Sequence, residues 1–167
     1  MINVSVSNFK YVQCAGINNL NHFKLIVKTA IEEAFKIANK SRNIHVHVIF
    51  NLNKDDMDDD DYYACIECGP VVNSYHTFIL RINRLKISLP RLLKWLAHEV
   101  THIKQYALKE LQDTQKAIKW HGKEYLESDT VKYADYLSLP WEMEARSYEE
   151  LLRERVRARL NLRWKKE

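Results

Sequence analysis

The stretch Leu89-Pro90-Arg91-Leu92-Leu93-Lys94-Trp95-Leu96-Ala97-His98-Glu99-Val100-Thr101-His102-Ile103-Lys104-Gln105-Tyr106-Ala107-Leu108-Lys109-Glu110-Leu111 carries the strongest helical pattern in the chain. Leu89, Leu92, Leu96, Val100, Ile103 and Ala107 recur at three- and four-residue steps and form one apolar stripe, which predicts a helix packed on a sheet. Pro90 suits the first turn of such a helix, with Ser88 as its cap, and the pattern runs to about Leu111. His98 and His102 fall one turn apart, roughly 150° from the centre of the stripe. Trp95 and Tyr106 share that second side, so it too is expected to be covered.

Working outward, Asn19 to Asn39 has the same kind of periodicity: Phe23, Ile26, Val27, Ala30, Ile31, Ala34, Phe35 and Ala38 mark a second amphipathic helix. Ile44 to Phe50 is rich in β-branched residues and reads as a strand, with His45 and His47 on one face and Val46 and Val48 on the other. Tyr62 to Cys68 and His76 to Ile82 read as two more strands, with turn residues Gly69-Pro70 and Asn73-Ser74 between them. Lys54 to Asp61 repels itself and predicts an exposed loop; without a central Gly and terminal Glu it is no calcium-binding loop. Asp113 to Ser138 is mixed, irregular with a short hairpin or helix, and Pro140 opens a final helix. The expected fold is α+β: an N-terminal helix, a small three-stranded sheet, then two helices. With 167 residues, 46% of them hydrophobic, and few Gly or Pro, residues 1–167 are read as one domain.

Other classes recede. The start lacks the pattern of a secretory leader, and no apolar run reaches the ~20 residues needed to cross a bilayer. Cys14, Cys65 and Cys68 make an odd set, so reduced thiols in the cytoplasm are the expectation. Cys65 and Cys68 have metal-site spacing, but with no second pair ordinary packing is the preferred reading. The net charge of +4 is mild. Arg153 to Lys166 is basic around the apolar Leu152, Val156 and Leu160, which fits a docked helix; nucleic acid is a weakly supported partner, with no aromatic interleaving beyond Trp164.

The chemistry lies in His98-Glu99-Val100-Thr101-His102. On a helix this HExxH spacing lets both imidazoles reach one metal ion, and Glu99 beside them can take a proton from water as it attacks a carbonyl. That is the pattern of zinc-dependent peptide hydrolysis, with a peptide or protein as substrate. A catalytic zinc needs a third protein ligand, and Glu142 and His121 both lie downstream. A donor for the developing oxyanion is also required; Tyr106, His121, Lys123, Tyr133 and Tyr148 are open candidates.

From Lys94 to Leu152 the chain resembles a family of small phage and bacterial metallopeptidases: HEVTH with Gln105-Tyr106, then Trp120-His121-Gly122-Lys123-Glu124-Tyr125, then Leu139-Pro140-Trp141-Glu142-Met143-Glu144-Ala145. Those proteins are similar to gluzincins, whose third ligand is a glutamate on a later helix. The resemblance implies a minimal zincin-like domain and makes Glu142 that ligand. It also implies a substrate strand added to a sheet edge between Tyr62 and Ile82. Glu142 to Ala145 fits the ExxA pattern of related membrane gluzincins, but Arg146 stands where their Asp would be. Ala145 would let this helix approach the HExxH helix closely, and Glu144 points to another face, as a surface group or a support behind the ligands. His121-Gly122 resembles, more weakly, the segment of SprT-like proteases in which the histidine is the third ligand; the zinc ribbon common there is missing. The alternative to an enzyme is a binding or assembly protein with a structural zinc site closed by a fourth ligand, for which His121 is the candidate.

Overall fold

The computed structural model describes residues 1–12, 14, 16, 17, 19–50, 64–83, 86–114, 117–126 and 136–163. The expected loop at Lys54–Asp61, Tyr62, Tyr133 and the basic residues beyond Arg163 lie outside them. Among the described residues the fold is α+β, with three long helices and two sheets: a four-stranded sheet in the order β1-β2-β4-β3 and a three-stranded one in the order β5-β6-β7.

In the larger sheet, β1 (Ile2–Ser7) and β2 (Ile44–Phe50) pair in parallel, Ile2 opposite Ile44. Parallel neighbours need a long crossover, and α1 (Leu20–Ile37) supplies it. β1 corrects the expected three-stranded layout, although Ile2, Val4 and Val6 alternate with Asn3, Ser5 and Ser7 as a half-buried strand should. β2 also pairs in parallel with β4 (Tyr75–Ile82). The chain reaches β4 through β3 (Ala64–Val72), an antiparallel partner that forms the sheet's outer edge. β3 thus runs through Gly69-Pro70, and the turn falls at Asn73 and Ser74, both at positive φ. β2 alternates as expected: Ile44, Val46, Val48 and Phe50 are fully buried while His45, His47 and Ile49 are half-buried. His45 and His47 meet serines, His47 lying 2.7 Å from Ser5 and 3.0 Å from Ser7.

Asn19 caps α1, its side chain accepting from His22 N–H at 2.9 Å. The predicted face from Phe23 to Phe35 is buried, and Phe23 packs on Phe50 at 5.3 Å between ring centres. α2 (Leu89–Ala107) starts at Ser88 and Pro90 as read, although Ser88 makes no side-chain cap bond. It ends four residues before Leu111, because Lys109 takes a positive φ and turns the chain into β5 (Leu111–Asp113). The predicted stripe on α2 is buried throughout, but α2 packs between α1, α3 (Pro140–Arg159) and β3 rather than on the sheet alone. The mixed segment contains the second sheet, with β6 (Ala117–Trp120) and β7 (Lys123–Leu126) turning at His121 and Gly122.

The second side of α2 is covered as well. Glu99, Thr101, His102, Lys104 and Gln105 are all buried. Ala145, fully buried, permits the close approach of α3 that its small side chain predicts. Leu152 and Val156 bury the apolar face of α3, while Arg153 pairs with Glu150, Arg157 with Glu154, and Arg159 with Glu32 and Glu33. No helix among the described residues is long and apolar enough to cross a membrane.

Candidate metal centre

α2 contributes His98 and His102, and α3 contributes Glu142 from its first turn. Ligand atoms of the three lie within 4.8 Å of one another. The two imidazole Nε2 atoms are 3.1 Å apart; Glu142 Oε2 is 3.3 Å from His98 Nε2, and Oε1 is 3.2 Å from His102 Nε2. Ligands ~2.0–2.1 Å from a tetrahedral ion sit roughly 3.3 Å from each other, so these separations match the edges of such a site.

The tautomers strengthen the match. Gln105 donates from Nε2 to the Trp141 carbonyl at 3.0 Å and to Glu144 at 2.7 Å. Its Oε1 is therefore an acceptor, and it lies 2.8 Å from His102 Nδ1, which must carry the proton. On His98, Nδ1 lies 3.0 Å from a Glu149 oxygen and donates to it. Both rings so present Nε2 lone pairs toward each other and toward a carboxylate. Three converging acceptors repel unless a cation lies between them, and an ion or a proton can fill that role. Burial pushes the His98 imidazole down, but the hydrogen bonds it donates to Glu142 and Glu149 outweigh it and raise the pKa to about 9. Burial opposes the Glu142 charge, yet both imidazoles and Tyr136 hold its carboxyl well below the usual carboxylate range. The donor chemistry fits a divalent metal with nitrogen and oxygen ligands.

Glu99, 7% exposed, follows His98 directly and accepts no hydrogen bond from the described residues. Burial, chiefly, raises its pKa above the ordinary carboxylate value. Glu99, both histidines and Glu142 line a cavity of about 420 Å³. Ala64, Cys65 and Ile66 from the edge strand β3 form one wall, and Tyr106, Tyr136 and Trp141 contribute others.

His121 does not join the cluster. It is exposed, at positive φ in the β6–β7 turn, with its ring 4.4 Å from that of Trp120. Among the oxyanion candidates, Tyr106 lines the cavity but donates to Asp113 at 3.0 Å, Lys123 lies over Tyr125, and Tyr148 lies beneath Lys104. Tyr136, not singled out from sequence, donates to Glu142 Oε1 at 2.7 Å. Two further partners escaped the sequence reading. Glu149 supplies the carboxylate behind His98 that Arg146 cannot, and the seven-residue step from Glu142, two helical turns, was its only signal. Gln105 orients His102 and is itself held by Glu144, the residue assigned to a different face, which also pairs with Lys104 at 3.0 Å. Cys14, Cys65 and Cys68 form no disulfide among the described residues.

The geometry has to carry the interpretation by itself: no family model, curated protein or solved structure matches the chain.

Proposed function

We propose that the chain is a zinc-dependent peptidase of gluzincin type, with His98, His102 and Glu142 as metal ligands and Glu99 as general base. The observation that carries this reading is the convergence of two Nδ1-anchored imidazoles and a buried carboxylate beside a buried glutamate that has no hydrogen-bond partner among the described residues, inside one cavity. Zinc, when bound, supplies a Lewis acid that polarises a carbonyl and makes water acidic near neutral pH.

The chain's own residues supply the rest. Glu149 and Gln105 hold the imidazoles in the metal-binding tautomer, so little reorganisation is needed on loading. Glu99 takes the proton of the attacking water, for which its raised pKa makes it a stronger base, and passes that proton to the leaving amine. Tyr136 donates its hydroxyl to Glu142 and holds that carboxylate in place at the ligand set. β3 offers an open edge to an extended peptide, whose backbone would pair with the strand and lie along the cavity wall.

Glu99→Gln tests the mechanism. It is expected to keep stoichiometric zinc while peptide turnover falls by roughly 10²–10⁴-fold. Retained turnover would sink the role of Glu99. A chain that holds zinc, yet hydrolyses no peptide in the wild-type form, would favour the structural-zinc alternative.

A further inference from the structure

Arg146 sits one turn after Glu142 and three residues before Glu149, on the same side of α3, and it lines the cavity of the metal cluster. Its Nη2 is shut off from water without a hydrogen-bond acceptor. No hydrogen bond or ion pair ties down the rest of the guanidinium among the described residues. Elsewhere on this helix Arg153, Arg157 and Arg159 each have a glutamate partner, although Arg153 Nε is likewise buried without an acceptor, and Arg155 is exposed. Helix spacing gives Arg146 two natural partners, Glu142 and Glu149, but both are taken. Glu142 faces the two imidazoles and Tyr136, and Glu149 faces His98 and Lys94.

A buried donor without an acceptor is costly, and a guanidinium cannot escape the cost by losing its proton. Its planar fork is matched best by a carboxylate held in two parallel hydrogen bonds. We infer that Arg146 is a specificity residue that binds a carboxylate of the peptide substrate inside the cavity. The inference rests on the peptidase reading for the identity of the ligand as a peptide. Two sources share the chemistry, the C-terminal carboxylate of a peptide and an aspartate or glutamate side chain near the cleaved bond.

Matched peptides distinguish them. The zinc-loaded chain is assayed on peptides as free acids and as C-terminal amides, and on pairs with Asp or Glu replaced by Asn or Gln. The wild type is expected to prefer the charged member of one pair by roughly 30-fold or more in kcat/KM. Arg146→Gln should remove that preference while leaving the uncharged member unchanged. A preference confined to the acid-amide pair assigns the C-terminal carboxylate; one confined to the side-chain pair assigns an internal acid. No preference in the wild type, or an equal loss on both members in Arg146→Gln, overturns the inference.

Binding of the same pairs to the zinc-loaded Glu99→Gln protein, measured by calorimetry, separates this idea from the peptidase reading. Charge-dependent binding that Arg146→Gln abolishes, with no turnover by the wild type, would retain the carboxylate site and reject the peptidase. Turnover with no charge preference would do the reverse. Arg146→Met keeps the aliphatic length and removes the unpaired donors, so its melting temperature without peptide should equal or exceed that of the wild type. A clear fall would give the guanidinium a structural role and overturn the inference.

Discussion

At the scale of single residues, Glu142 and not His121 stands beside the two histidines. Glu142→Ala should remove bound zinc, and His121→Ala should leave the zinc content unchanged, as read by elemental analysis of the purified proteins. Loss of zinc from both variants would instead support a closed structural site. The partners behind the ligands act more weakly: Glu149→Gln keeps the shape but loses the charge that holds His98, and zinc affinity in a competition titration should fall about 10–100-fold. His98 and His102 were legible as a pair because helix periodicity fixes which side chains share a face, whereas Glu142 was set ahead of His121 only by the resemblance at ExxA. Glu149 and Gln105 were not legible, because their roles arise where α2 and α3 meet. Nothing in the local pattern at Gln105 says that its amide will be locked between the Trp141 carbonyl and Glu144.

At the scale of elements, α2 and α3 are joined by a buried ion network as well as by apolar packing. Lys104 is 4% exposed and pairs with both Glu144 and Glu110 at 3.0 Å. Lys104→Ala leaves those carboxylates without their cation and should lower unfolding stability by about 3 kcal/mol in a denaturant titration. A change under roughly 0.5 kcal/mol would show that the network adds nothing to the joint. The long periodic elements, α1, α2 and α3, and the alternating β2 were readable from side-chain spacing. The readings weakened where length was short. β5 to β7 span three or four residues each, too few for a period to register, and α2 was extended into β5 because Leu108 and Leu111 continue its apolar steps. β1 carried a clear alternation, but its parallel pairing with β2 depends on the α1 crossover, a long-range fact.

At the scale of the whole molecule, α1 and α3 are clasped by Arg159, which donates to Glu33 at 3.0 Å and also pairs with Glu32. Burial opposes the Glu33 charge, but hydrogen bonds from Lys36 and Arg159 outweigh it and lower its pKa below the usual 4.5. A carboxyl whose folded pKa is depressed stabilises the fold fully above its unfolded pKa. That contribution is lost as the pH falls through the lower, folded value. Arg159→Ala should therefore cost under about 1 kcal/mol at neutral pH, since the guanidinium is partly exposed, and should flatten the decline in stability below pH ~4.5. An identical acid-unfolding profile in the variant would remove Glu33 from the account. The same packing sets α3 against α2 and so brings Glu142 to the two histidines. Diffraction from zinc-loaded crystals at the zinc absorption edge tests that arrangement most directly. The account predicts one ion ~2.0–2.1 Å from His98 Nε2, His102 Nε2 and a Glu142 oxygen, with a coordination position left open to the cavity. An ion bound elsewhere, or one whose fourth position is closed by another protein ligand, would contradict it.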